Sequence, residues 1–332
     1  MNLFQKLSKQ KLNSVCTIFF VFLLVVSVHK ENIYFVFLSN VDIWMPFMIA
    51  YVQRGLEIQF PIEKQNYKIQ YIDSLHKINH FDVLVVGAGL SGSVIAERYA
   101  NAGMSVLIIE KRSHIAGNCF DYTDNRTGIR VNEYGAHLFH TNDQMIWKYV
   151  NAFSPWARFD HRVLAYVDEK YVPVPVNINT VNLLFEDADI QNTHEMEIWL
   201  QNEIKNKFNT KPKNSEEMAI SRVGRRLYQK IFKPYTQKQW NMTAKNLDPS
   251  VTGRIPIYKN FDNRYFTDKY QGLPTHGYTS FVESMLGHTS IQVWLNQDFF
   301  DLPLTIKNYA KKFTILVLLT NMSIKHPLET KN

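Results

Sequence analysis

A chain of 332 residues, 45% hydrophobic and 14% aromatic, holds enough apolar side chain for a sizeable core shared between two domains, which excludes a disordered polymer. Its net charge of +7 does not single out nucleic acid, because a diphosphate ligand is an anion too and most lysines on such a chain are solvated surface. Cys16 and Cys119 stand far apart and form no metal or redox motif, which suits a reducing cytosol.

Residues 1–80 read as an atypical N-terminal extension. Lys6, Lys9 and Lys11 precede Val15 to Val28, a charge-free apolar run of fourteen residues, and Asp42 interrupts a second apolar stretch from Ile33 to Val52. Fourteen residues fall short of the ~18 needed to cross a bilayer, and no small-residue cleavage site follows at His29-Lys30-Glu31. The expected location is the cytoplasm, with membrane association through residues 15–28 as the alternative and remnant upstream coding sequence as a third origin for the segment. In that compartment the sequons at Asn125, Asn241 and Asn321 carry no meaning.

From Asp82 the pattern changes. A buried strand, Val83 to Val86, runs into Gly87, Gly89, Ser91 and Gly92, then an amphipathic helix, then a second apolar strand that ends on Glu110. In this dinucleotide fingerprint Gly87 permits a tight turn, Gly89 lets the backbone approach a pyrophosphate, and Gly92 lets helix and strand pack closely. The helix N-terminus stabilises the anion and Glu110 accepts from a ribose. Strand, glycines, helix, strand and acid do not separate NAD from FAD. The basic, glycine-containing continuation from Lys111 to Asn118 is something nicotinamide dehydrogenases do not need, and it resembles the second FAD-contacting segment of flavoproteins related to amine oxidases.

Further on, His137 and His140 lie three residues apart without a carboxylate or cysteine at ligand spacing, so no metal site is expected. Asn214 and Glu217 form a helix-start pair, and Ile220, Val223, Leu227 and Ile231 follow as an apolar stripe at helical spacing, read as core. That helix carries Tyr235 and Trp240 into a polar Thr-Gln-Lys-Gln setting, where aromatic planes can stack on a base or a sugar.

Four segments then fall in one order: Tyr134 to Thr141 with Trp147 beyond it, Tyr235 to Trp240, Arg254-Ile255-Pro256 with Asn263 to Phe266, and Tyr270 to Pro274 with Gly277-Tyr278-Thr279. Together they resemble UDP-galactopyranose mutase over about residues 81–300. The resemblance implies an α/β fold, with an amine-oxidase-related, FAD-binding Rossmann-like part at 81–160 and an inserted helical domain for the UDP-sugar at 161–270. A return to the FAD domain at 271–300 and an unmatched tail at 301–332 complete the expected division. By resemblance, FAD is contacted by Gly87, Gly89, Ser91, Gly92, Glu110, Asn118, His137, Leu138, Asp298 and Phe299. UDP-galactose or UDP-galactofuranose is contacted by His161, Ile231, Tyr235, Thr236, Trp240, Arg254 and Tyr265, with His140 and Arg254 as the catalytic pair.

The implied reaction interconverts UDP-galactopyranose and UDP-galactofuranose for surface polysaccharide. Reduced FAD holds the anomeric carbon as a flavin N5–sugar adduct while the ring opens and recloses through O4. Arg254 suits the diphosphate, since a guanidinium makes paired, charge-assisted hydrogen bonds to phosphate oxygens, and Tyr265 adds a donor. A homodimer is compatible with the resemblance; nucleic acid is not an expected partner. Two departures stand out. Ala116 replaces the first of two glycines, at little cost unless the backbone there needs positive φ, and His161 stands where relatives often have asparagine.

After Asp298-Phe299 the resemblance fades, and Lys311 to Leu319 reads as an apolar strand or a frameshifted end. With that part of the fold unmatched, flavin and diphosphate are expected to be loosely held and activity impaired. An amine-oxidase-like oxidoreductase and a non-catalytic remnant of the fold remain the alternatives.

Overall fold

The computed structural model describes residues 23–24, 35–38, 68–73, 81–204, 211–302 and 310–318. The basic residues before Val15 and most of the apolar run that follows lie outside them. Among the described residues no helix is long and apolar enough to cross a membrane. The chain divides into two compact units, one built from residues 1–137, 143–157 and 273–332, the other from residues 138–142 and 158–272.

In the first unit, strand Phe81–Val86 places Val83, Leu84 and Val85 wholly out of solvent. A strand apolar on both faces belongs in the middle of a parallel sheet covered on each side. Val106–Ile109 pairs parallel on one side of it, and Ile291–Trp294 pairs parallel with that strand in turn. Helix Leu90–Asn101 joins the first two strands, which makes the βαβ unit expected from the fingerprint. On the same helix Glu97, only 2% exposed, is a buried charge with its partners supplied: Arg98 pairs with it at 2.5 Å and the Tyr149 hydroxyl donates to it at 2.6 Å.

On the other side of Phe81–Val86, strand Ala310–Leu318 runs parallel, pairing Phe313 with Val83 and Leu316 with Val86. The full order in the seven-stranded sheet is 23–24, 35–38, 310–318, 81–86, 106–109, 291–294 and 70–71. The apolar strand expected from Lys311 to Leu319 is observed as Ala310–Leu318. Parallel pairing satisfies the backbone donors and acceptors along that edge of Phe81–Val86, which would otherwise stand open.

The second unit is mostly helical. Its core gathers Val181, Met196, Leu200, Val223, Leu227 and Phe232 from the helices Ile178–Leu184, Thr193–Glu203 and Ser215–Leu227 and the turn after them. The expected start of the long helix is observed, with Asn214 accepting from the Glu217 amide at 2.9 Å. The apolar stripe Ile220, Val223, Leu227 and Ile231 faces this core as expected. The helix is not continuous: Gly224 has φ 77, and a π-turn over Tyr228–Phe232 precedes the final segment Lys233–Trp240. Strand Phe139–Thr141 pairs antiparallel with Tyr270–Gly272, setting His140 opposite Gln271.

Candidate functional site

The first unit holds a cradle for an anion. Gly87 takes φ 102 between strand and helix, and a Cβ placed on Gly92 would lie 1.9 Å from the Gly87 carbonyl oxygen, so only glycine fits there. Helix Leu90–Asn101 begins at Gly89 with no side chain capping its first amides, and Ser91 lies in its first turn, partly open. Uncapped amides at a helix start, carrying the positive end of the helix dipole, are donors for a phosphate.

Glu110, 8% exposed, accepts from the Ala88 amide at 2.7 Å and the Arg112 amide at 2.8 Å. The acid at the second strand's end thus braces the glycine loop as well as standing where a ribose would be read. Asn118 accepts from Arg112 Nη2 at 2.8 Å, and the same guanidinium lies over the Tyr134 ring at 4.6 Å. Arg112 Nη1 is buried without a hydrogen-bond partner among the described residues, a charged donor that a bound anion would satisfy. Sequence reading passed over Arg112; its place inside the Lys111–Asn118 extension was the available signal.

At Ala116 the condition under which alanine is costly, a backbone at positive φ, is met. It sits at φ 68, its amide donates to Ala88 O at 2.9 Å, and it bridges Gly89, so a left-handed turn is what carries the 111–118 segment onto the glycine loop. An L-residue with a Cβ pays for that conformation in steric strain.

His137 is partly exposed, its Nδ1 lying 3.0 Å from Gly135 O. Asp298 pairs with Lys111 at 2.8 Å, which holds its carboxyl below the usual range, and also accepts from the Phe300 amide. Phe299 packs in the core with Leu107, Ile109 and Trp294. These partners give Asp298 and Phe299 roles within the unit's own structure. Leu138 falls in the second unit.

The second unit collects the residues read as sugar-nucleotide contacts. His161 O accepts from the Tyr265 amide at 2.7 Å and the Tyr258 hydroxyl donates to Tyr265 O at 2.8 Å, so the backbone carrying Tyr265 is fixed on both sides. Burial pushes the Tyr265 phenol up, the Tyr235 phenol adds to that, and the Arg254 guanidinium pulls it back, which sets Tyr235 and Arg254 each within electrostatic reach of Tyr265. The His161 ring lies 5.6 Å from that of Tyr265, and burial lowers its pKa.

The Arg254 side chain is exposed and makes no hydrogen bond or ion pair among the described residues, while its amide donates to Ser250 O at 3.1 Å. Tyr235 and Trp240 present 47% and 42% of their surface on helix Lys233–Trp240. Thr236, on the same helix, is buried, and Ile231 belongs to the unit's core. Their side chains pack rather than face solvent.

His140 is held by groups that sequence reading did not pick out. Its Nδ1 lies 2.8 Å from Asp268 Oδ2, and its ring stacks on Phe266 at 3.7 Å between centroids. Asn142 donates to the other oxygen of Asp268, while Gln271 Nε2 donates to Phe266 O and Asp268 O and fixes the turn. Asp268 and His140 are 128 residues apart, and only the pairing of two strands brings them together.

Residues 230–322 match the UDP-galactopyranose mutase family model, and residues 85–153 match a model of NAD(P)-binding Rossmann-like domains. The first match runs through residues 301–322, which corrects the expectation that the tail is unmatched from residue 301. A probable UDP-galactopyranose mutase of Klebsiella pneumoniae is 37% identical over 71% of this chain and 60% of its own length. The dTDP-fucopyranose mutase of Escherichia coli is 36% identical over 65% and 56%, and the UDP-galactopyranose mutase of Mycoplasma pneumoniae 33% over 66% and 55%. A crystal structure of reduced UDP-galactopyranose mutase aligns over 71% of this chain and 48% of that one, at a TM-score of 0.47 and 17% identity. The chain therefore spans between half and two thirds of the length of these curated relatives. Over some two thirds of its own residues, the chain is a sequence relative of the UDP-galactopyranose mutases.

Proposed function

We propose that the chain binds FAD in its first unit and a UDP-hexose in its second, and that it serves the interconversion of UDP-galactopyranose and UDP-galactofuranose in the cytoplasm. The observation that carries this reading is that the exposed Arg254 guanidinium and the Tyr235 phenol both act electrostatically on Tyr265, with Trp240 exposed on the same helix as Tyr235. An exposed guanidinium acting on a phenol, in a unit that also exposes a second phenol and an indole, offers what a nucleoside diphosphate requires: charge and paired donors for phosphate, planes for a base or sugar.

The first unit fits FAD on its own terms. The uncapped amides at Gly89 take the pyrophosphate, Glu110 the ribose, and the buried Arg112 Nη1 a further oxygen. The chemistry that reduced FAD supplies when bound is a nucleophile for the anomeric carbon between loss of UDP and reclosure of the ring.

What remains is the work of the chain's own residues. Arg254 offsets the charge that grows on the diphosphate as it leaves, the electrostatic contribution that dominates in such sites. Tyr265, whose phenol burial pushes further up, donates to the same group. The Asp268 carboxylate and the Phe266 ring orient the His140 imidazole, and a ring fixed in this way can hold a sugar hydroxyl or move its proton.

The test is a UDP titration of the full chain, followed by tryptophan fluorescence. UDP is expected to quench it, and Arg254→Ala to weaken binding by about 1.5–3 kcal/mol, the loss of a hydrogen bond to a charged group. Equal affinity in both proteins rejects this role for Arg254. Incubating the reduced, FAD-supplemented chain separately with UDP-galactofuranose and with the furanose form of dTDP-fucose, with products separated by chromatography, decides which sugar nucleotide it serves. Oxygen consumption on an amine substrate with no UDP binding would favour an oxidoreductase instead.

A further inference from the structure

Arg222, on helix Ser215–Leu227, has no part in the reading above, yet it is tied to the turn that carries Arg254. Its Nη1 lies 2.9 Å from Thr252 O, 2.9 Å from Gly253 O and 2.8 Å from Ile255 O. These carbonyls bracket Arg254 on both sides. Helix Ser250–Gly253 ends at Arg254, its C-cap, and the last carbonyls of any helix lack partners within it. A guanidinium is suited to gather them, being a planar donor whose positive charge complements the negative end of the helix. Arg222 is partly buried, and desolvation lowers its pKa from the ordinary arginine value, so these bonds form in a setting where an absent donor would be felt.

Arg254 itself has no side-chain partner among the described residues, so the backbone of residues 252–255 is what the structure offers to aim its guanidinium. We infer that Arg222 is a positioning residue for the diphosphate site: by holding the carbonyls of Thr252, Gly253 and Ile255, it fixes the turn from which the exposed Arg254 side chain projects. This rests on the reading of Arg254 as the diphosphate anchor. Without Arg222 three carbonyls lose their shared donor and the turn gains alternatives, each of which Arg254 must give up on binding.

The experiment compares UDP and uridine binding by calorimetry in the full chain and in Arg254→Ala, Arg222→Gln, Arg222→Lys and the double variant Arg222→Gln/Arg254→Ala. Arg222→Gln is expected to weaken UDP about 3- to 10-fold, the equivalent of one or two ordinary hydrogen bonds, with Arg222→Lys in between. Uridine, which lacks the diphosphate, should change by less than about twofold, and so should UDP when Arg222→Gln is added to Arg254→Ala, because a residue acting through Arg254 has nothing left to act on. Equal losses for uridine, or an undiminished loss in the Arg254→Ala background, would show a merely structural role and overturn the inference. So would unchanged UDP affinity in Arg222→Gln while Arg254→Ala weakens it. If Arg222→Gln does not fold, the same comparisons made with Arg222→Lys decide. An Arg254→Ala protein that binds UDP as well as wild type sinks the diphosphate reading first, and this inference with it.

Discussion

At Ala116 the backbone enters the left-handed region so that segment 111–118 can meet the glycine loop, and the side chain there is 1% exposed. Replacing it by glycine relieves about 1–2 kcal/mol of strain. It also removes a buried methyl worth roughly 0.8 kcal/mol and adds about 0.4–1 kcal/mol of unfolded-state entropy. Ala116→Gly is therefore expected to lie within about 1 kcal/mol of wild type in urea unfolding, whereas Ala116→Val, β-branched at positive φ, should lose more than about 2 kcal/mol. A neutral valine would mean that the turn relaxes. His161 tests burial by pH. Desolvation lowers its folded pKa below 6.5, so the unfolded chain binds the proton more readily. Its contribution favours folding above pH 6.5 and is lost as pH falls from 6.5 through the lowered folded value. His161→Asn should flatten the stability–pH curve in that window, measured by chemical unfolding at a series of pH values; an identical slope in both proteins would assign the dependence to other groups.

The segment from Asn214 to Trp240 shows which elements a sequence reveals. Its start and its apolar face were legible because both are local: a cap reaches three residues and a stripe repeats every three or four. The break at Gly224 was not. It exists because the helix passes against Glu203, where a Cβ on Gly224 would lie 2.6 Å from the Glu203 Cβ, and that neighbour comes from another helix. Gly224→Ala is expected to cost at least about 2 kcal/mol, from positive φ and the clash together, while Asn214→Ala should cost about 1 kcal/mol as a lost cap. Thermal unfolding of both ranks them, and a milder effect at Gly224 than at Asn214 would show that the kink is not held by packing. The same division explains the first unit. The βαβ fingerprint is contiguous and could be read directly, but the parallel strand Ala310–Leu318 pairs with a strand more than two hundred residues earlier. Composition marked it as apolar; only long-range pairing gives it a place. His140 and Asp268 were missed as a pair for the same reason: Asp268 lies in the gap between Phe266 and Tyr270, and only strand pairing brings it to His140.

For the whole molecule, the two units make the proposed function separable into two binding events with different addresses along the chain. A ligand that binds only the folded form stabilises it by RT ln(1 + [L]/Kd), about 2.7 kcal/mol at a hundredfold excess over Kd. Hydrogen exchange should report that gain where the ligand sits, since local opening is suppressed first around the groups it contacts. FAD is expected to slow exchange at the amides of Gly87 to Gly92 and of Arg112 to Asn118, because the uncapped helix start and the unpartnered Arg112 Nη1 are both there. UDP is expected to slow exchange around Tyr235 to Trp240 and Arg254 to Tyr265, where the exposed aromatics and the uncommitted guanidinium lie. NAD at the same excess should leave both regions unchanged, because a glycine loop alone does not discriminate between dinucleotides and the 111–118 extension does. Protection by NAD in place of FAD would turn the first unit into a nicotinamide site. Protection by FAD with none from UDP would leave a flavoprotein whose substrate is not a sugar nucleotide, and Arg254 would then need another anion.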